Sequence, residues 1–171
     1  VGCNYYRQQG LGHTKEVCAF TEVAGDWGKI VEVECGILHT FMRTEHGKWY
    51  AVGYNTYGQL GLDHTNDVCA FTEVVGDWGK IVAVKCGGTH TFMQSEHGKW
   101  YAAGSNTSGQ LGLGYNCCAF TEVRGGWGKI VAVVCGECHT FMRSEDEKWY
   151  AAGANGNGQL GIGHTNDVYA F

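Results

Sequence analysis

Nine cysteines and eight histidines stand in this chain, and three of each recur as Cys-Gly-x-x-His: Cys35/His39, Cys86/His90 and Cys135/His139. A thiolate and an imidazole that close together are zinc-type ligands, and a Cys/His pair is also the heart of a nucleophilic site. Either chemistry needs convergence. A structural zinc takes four ligands, each copy supplies two, and a repeated unit is expected to hold its copies apart, so the pattern predicts a thiol in the packing and a histidine bonded to backbone at a strand turn. The Gly-Gln-Leu-Gly segments, as at Gly58–Gly61, suggest a phosphate cradle, but such a loop opens a helix whose N-terminus meets the anion. No helical pattern follows, so these are read as turns with Asn55, Asn106 and Asn155 bonding locally to backbone. Trp27, Trp78 and Trp127, with Trp49, Trp100 and Trp149, are expected to pack between structural units rather than form an aromatic binding box. His64-Thr65-Asn66-Asp67 and His164-Thr165-Asn166-Asp167 are polar loops open to a ligand or to solvent, solvent being the simpler expectation. Because every candidate recurs in equivalent places, no catalytic residue, metal ligand or cofactor-binding residue is assigned.

The elements that must position these residues come from one block of sequence written three times. Gly25–Asn55 and Gly76–Asn106 agree at 23 of 31 positions, and Gly125–Asn155 is a third copy. The organisation expected is one repeat domain over residues 1–171, with repeats 2–52, 53–103 and 104–152 and a partial repeat 153–171. In the second copy, Lys80–Cys86 is β-branched and bounded by glycine, as a strand is. His90–Glu96 and Lys99–Gly104 flank His97-Gly98 as a hairpin with a two-residue link. A Gly/Asn-rich loop follows, then a short fourth strand, Ala119–Val123. Both faces of these strands are apolar or nearly so, which a two-layer sandwich does not require and radially stacked sheets do. The expected fold is therefore all-β, a β-propeller of four-stranded antiparallel blades.

Three blades are too few for a closed ring, since closed propellers use about 4 to 8. The orphan strand around Val17–Val23 and the truncated one at Val168–Phe171 fit a partial ring or half of an oligomeric one, either a homo-oligomer or part of a larger chain or assembly. Val1 in place of Met predicts a fragment or a processed form. In the first strand Val31, Val33 and Cys35 recur as Val82, Val84, Cys86 and Val131, Val133, Cys135, and these are expected to be the packed side. The alternate places vary, as Glu32/Ala83/Ala132 and Glu34/Lys85/Val134, and are expected to face water at the centre of the ring.

Composition narrows the partners. Net charge is −5 and no Lys/Arg cluster occurs, which disfavours direct binding of nucleic acid or of anionic membranes. No apolar run approaches the ~20 residues of a membrane helix. The recurrence of most cysteines once per repeat favours reduced thiols over a disulfide framework.

Gly-x-Asn-x-x-Gly-Gln-Leu-Gly at Gly53–Gly61, Gly104–Gly112 and Gly153–Gly161, with Val-x-Cys-Gly-x-x-His-Thr at Val84–Thr91 and Val133–Thr140, closely resembles the regulator of chromosome condensation repeat. That resemblance covers essentially the whole chain and implies seven four-stranded blades in a complete ring. It departs from the family in lacking proline before the fourth strand, in Arg7 and Gln9 of the first glycine loop, and in a third unit two residues shorter. It implies a non-enzymatic protein-interaction module or scaffold, cytoplasmic or nuclear; the variable inner-strand residues Glu32, Glu34 and Lys85 are the surface expected to meet an unidentified protein partner. Two alternatives stand beside it: guanine-nucleotide exchange on a Ran-type GTPase, for which the even repeat spacing leaves no inserted feature, and ligand or carbohydrate binding at the rim loops. The tryptophan and arginine cluster of the family's ultraviolet photoreceptor is not found, because Leu38, Thr89 and Cys138 precede the repeated His-Thr.

Overall fold

The computed structural model describes residues 1–171 and is all-β, with eleven strands and no helix. The strands are β1 Ile30–Cys35, β2 His39–Thr44, β3 Trp49–Gly53, β4 Val68–Glu73, β5 Ile81–Cys86, β6 His90–Ser95, β7 Trp100–Gly104, β8 Cys117–Glu122, β9 Ile130–Cys135, β10 His139–Ser144 and β11 Trp149–Gly153. They form sheets ordered β1-β2-β3-β4, β5-β6-β7-β8 and β9-β10-β11, every pairing antiparallel. The third blade therefore has three strands, and Val168 meets it through a single bridge to Gly153. At the other end, Val17 of the orphan segment bridges only Gly2.

The core lies between the sheets rather than inside any one of them. Phe41, Trp49 and Ala51 of the first blade pack against Ile81, Val84 and Met93 of the second. Phe92, Trp100 and Ala102 of the second repeat the arrangement against Ile130, Val133 and Met142 of the third. Burying one such side chain contributes about 1.5–3 kcal/mol, so each blade is stabilised mainly by its neighbours, as in other repeat architectures. The glycine loops add a clasp, since Asp63 N–H donates to Cys118 C=O at 3.0 Å, carrying the first blade's loop onto β8 of the second. Gly61 makes room for it: a Cβ there would sit 2.3 Å from the Phe120 ring, and its φ of +65° is one that glycine adopts freely.

Two expectations change. The first strand of each blade carries a β-bulge, the register stepping from Ile30↔Thr44 to Glu32↔Arg43, and likewise at Ile81/Ala83 and Ile130/Ala132. An extra residue reverses the side that follows it. The packed positions are thus Ile81 and Val84, or Ile130 and Val133, whereas Val31 and Val82 face outward. The hairpin is also longer than a two-residue link. Ser95 N–H bonds to Lys99 C=O and Gly98 N–H to Ser95 C=O, both at 2.9 Å, with positive φ at Gly98 and not at His97. This is a type I turn followed by a left-handed residue, not a primed turn.

Candidate functional site

The Cys-Gly-x-x-His residues sit where the innermost strands β1, β5 and β9 stand side by side. In each copy the glycine N–H donates to the histidine carbonyl, at 2.8 Å for Gly36/His39 and for Gly87/His90, closing a tight turn that swings the imidazole inward. Glycine is required at this place for space, because a Cβ on Gly87 would lie 2.1 Å from His90 Cε1 and 2.8 Å from Gly136 O of the next blade.

The histidine does not bond to backbone, contrary to expectation. His39 Nε2 meets Thr91 Oγ1 of the following blade at 2.8 Å, and His90 Nε2 meets Thr140 Oγ1 at 2.9 Å. Each hydroxyl donates its one proton to a loop carbonyl, Thr91 to Gln59 O and Thr140 to Gln110 O, both at 2.8 Å. The oxygen can then only accept from the ring, which places the proton on Nε2 and leaves Nδ1 bare and without a partner in His39 and His90. Burial holds His39 down at about 4 and His90 at about 3, the latter also lowered by the neighbouring His39 and His139. Both are neutral near pH 7 and unsuited to proton transfer there. The result is a relay of histidine, threonine and loop carbonyl from three separate chain segments, made twice. His139, with no blade beyond it, makes no such bond, and Thr40 donates to Gln8 O at 2.7 Å without a histidine behind it.

The thiols are not held apart as expected. Cys35, Cys86 and Cys135 line one shallow groove with Gly36, Gly87 and Gly136. Cys86 Sγ–H points to Glu34 O at 3.8 Å and Cys135 Sγ–H to Lys85 O at 3.7 Å, so each thiol also ties one inner strand to the one before it. Burial pushes the Cys135 thiol up to about 12 and Cys86 well up too, so both stay protonated at neutral pH and are poor nucleophiles. No set of three or more His, Cys, Asp or Glu side chains is placed to hold a metal ion. All nine cysteines are free.

Of the three surface residues predicted, Glu34 and Lys85 meet as an ion pair bridging β1 and β5. Glu32 lies on the same side of β1 but bonds Arg43 Nε within its own blade at 2.8 Å. All three are partly exposed along the innermost strands. Asn55 organises its loop, accepting from Leu60 N–H at 2.9 Å and donating to His64 O at 2.8 Å. His64 Nδ1 in turn accepts from Asn66 N–H at 3.2 Å, so the polar rim loop is bonded to itself. Trp49 and Trp100 are buried between blades, Trp78 packs beside that core, and Trp149 is exposed. Thr91 and Thr140 are the contributors missed in the sequence; the signal was there, since His is followed by Thr in all three copies.

The profile of the regulator of chromosome condensation (RCC1) repeat matches residues 46–94. The secretion-regulating guanine nucleotide exchange factor of Bos taurus is 36% identical over 115 residues, covering 66% of this chain and 25% of that protein. The X-linked retinitis pigmentosa GTPase regulator homolog of Caenorhabditis elegans is 31% identical over 66% of this chain and 8% of its own length. The chain thus spans a quarter or less of these relatives. Among solved structures, human WBSCR16 superimposes with a TM-score of 0.73 at 23% identity, over 89% of this chain and 41% of that one. Prp20p from Saccharomyces cerevisiae gives 0.73 at 19% identity, over 82% and 37%.

Proposed function

Because the chain is built of regulator of chromosome condensation repeats, we propose that it is a non-enzymatic protein-interaction module, residues 1–171 forming one repeat domain that presents Glu32, Glu34 and Lys85 to a protein partner. One observation carries this reading: at both internal joints the Cys-Gly-x-x-His side chains are already engaged between blades. His39 and His90 are neutral and bonded to threonine, and Cys86 and Cys135 are protonated and turned onto backbone. What differs from blade to blade is the exposed side of the inner strand, Glu32/Ala83/Ala132 and Glu34/Lys85/Val134, where a partner could discriminate one blade from another. The test is quantitative recovery of a partner captured by the wild-type chain. With Glu32, Glu34 and Lys85 all changed to alanine, recovery is expected to fall about tenfold, and unchanged recovery would reject this surface.

A second reading is nucleotide exchange on a small GTPase, supported by the names of the bovine and nematode relatives, an exchange factor and a GTPase regulator. The first two copies of the Cys-Gly-x-x-His motif are 51 residues apart and the next two 49, with no inserted element between them. Accelerated nucleotide release from a Ran-type GTPase by the isolated chain would place this reading first.

A further inference from the structure

We propose that four tyrosines on two neighbouring glycine loops form a ridged platform for a proline-rich segment of a partner protein. The platform shares no residue with Glu32, Glu34 and Lys85, so it stands or falls apart from the surface described above.

Tyr5 and Tyr6 stand on the first glycine loop, Tyr54 and Tyr57 on the second. Their rings meet in series, Tyr5 with Tyr6 and Tyr6 with Tyr54 at centroid separations of 5.1 Å, then Tyr54 with Tyr57 at 6.2 Å. The contact between Tyr6 and Tyr54 joins the two loops. This series is where the chain departs from its own repeat. Ser105 and Ser108 hold the places of Tyr54 and Tyr57 in the next copy, Ala154 and Asn157 hold them in the last, and Thr56 and Thr107 stand where Tyr5 does. Those copies fold with small or polar residues there, so the fold does not call for aromatic rings at these places.

The rings are exposed and rigidly mounted. Tyr5 is 70% exposed and Tyr57 37%, with Tyr6 and Tyr54 half-buried between them. That exposure belongs to the place itself. Tyr57 has a glycine loop on either side of its own, and Thr56 and Thr107, the counterparts of Tyr5, are exposed with a blade before and after them. Gln8 Oε1 accepts from Tyr6 N–H and Gln59 Oε1 from Tyr57 N–H, both at 3.1 Å. Behind them the buried Asn4 and Asn55 side chains accept from Gln9 N–H at 3.0 Å and Leu60 N–H at 2.9 Å. Gly12 N–H donates to Cys69 O at 3.1 Å, fastening the first loop to β4. Loops held this way lose little freedom when a partner binds.

Residue type and shape choose the occupant. Tyrosine and arginine are the types that dominate the energetics of protein interfaces, and Arg7 follows Tyr6 directly. It takes the left-handed place, at φ +62°, that Gly58, Gly109 and Gly158 hold in the other copies, and its guanidinium lies 3.8 Å from Asp67. Successive ring planes are inclined by 82°, 66° and 73°, so edges alternate with faces and the surface is ridged. A sugar ring lies flat on an aromatic face, and here that face is interrupted at every step. Proline rings instead seat between aromatic ridges. A polyproline II segment advances about 9 Å per turn, comparable with the two ring steps from Tyr6 to Tyr57. Its carbonyls are free of internal hydrogen bonds, and each tyrosine edge carries a hydroxyl that donates to such an oxygen. No proline occurs in the 171 residues, so neither they nor a second copy of them supplies the segment.

Fluorescence anisotropy of labelled decaproline, titrated with the 171-residue chain, tests this. Saturable binding with a Kd below about 1 mM is expected. Tyr54→Ser with Tyr57→Ser installs the residues that the next copy carries, and is expected to weaken binding at least about tenfold. Tyr5→Thr alters a largely exposed side chain, leaves the fold untouched, and is expected to weaken binding about threefold or more. Circular dichroism verifies that the variants fold. The chain with Glu32, Glu34 and Lys85 all changed to alanine is expected to bind decaproline as the wild type does, which separates the two surfaces. Absence of saturable binding overturns the proposal, as does a double tyrosine variant that binds like wild type. Equal binding of a Gly-Ser peptide of the same length, binding of maltoheptaose in place of decaproline, or loss of binding in the triple-alanine variant would overturn it as well.

Discussion

Thr91→Val tests the histidine relay most directly. Valine keeps the volume and branching of threonine but neither donates nor accepts, so it strands two groups at once: His39 Nε2–H and the Gln59 carbonyl. Thr91 is fully buried, and leaving a buried polar group unmet costs about 1–3 kcal/mol. The pair should therefore cost about 2–5 kcal/mol after some relaxation. Two relatives of the substitution calibrate it within the same chain. Thr140→Val removes an identical link between His90 and Gln110 and should cost the same. Thr40→Val breaks only the bond to Gln8 O at a half-buried site, and about 1 kcal/mol is expected. Thermal unfolding followed by circular dichroism and calorimetry reads all three. An unfolding entropy of about 2.1 cal/mol/K per residue makes each kcal/mol worth roughly 3 °C for a chain of this size. Thr91→Val and Thr140→Val should lower Tm by about 6–15 °C and Thr40→Val by about 3 °C. If Thr91→Val costs no more than Thr40→Val, the histidine is not held by the hydroxyl and the relay is wrong.

The same histidines predict acid lability. Their folded values, about 4 and about 3, lie below the ordinary 6.5, so the unfolded chain takes up protons first and stability falls as pH drops from about 6.5 toward 4. At pH 5 each should cost on the order of 2 kcal/mol relative to pH 7; urea unfolding at the two pH values checks this, and His39→Gln should remove roughly half of the difference. Gly87→Ala drives a Cβ into the His90 ring and the Gly136 carbonyl and should cost about 1–3 kcal/mol. Gly126→Ala, with open space around it, should stay within about 0.5 kcal/mol of wild type in the same melts. Glu147 occupies the left-handed turn position that Gly47 and Gly98 hold in the other blades, at φ +64°. Glu147→Gly should accordingly raise stability by up to about 1 kcal/mol, read as a Tm gain of a few degrees.

Much of this was legible before any coordinates. The recurrence of Lys-Ile-Val, His-Thr-Phe-Met and Lys-Trp-Tyr-Ala set three β-strands per unit in their order, and the Gly/Asn-rich loop marked the turn into a fourth. The family resemblance followed from the glycine and histidine spacings. Less legible was which way side chains face. Strict alternation along β1 put Val31 with the packed residues, and one bulged residue moved it out, because a register step changes faces without changing the order of the letters. The Cys-Gly-x-x-His spacing predicts a turn at the histidine and a backbone partner; the partner of His39 is Thr91, 52 residues on, which becomes a neighbour only when two blades stack. One cysteine per repeat predicts separated thiols, yet the inner strands stand side by side and bring Cys35, Cys86 and Cys135 to one groove.

A nearly periodic sequence determines its local structure three times over, since the strand pattern and the residues offered between blades recur in every copy. It cannot distinguish Trp49, Trp100 and Trp149, which carry the same neighbours along the chain. Only stacking separates them: the first two are covered by the next blade and hydrogen-bonded to it, and the third is left at an open face. Burial is a property of what lies across the joint, and that is decided by tertiary structure.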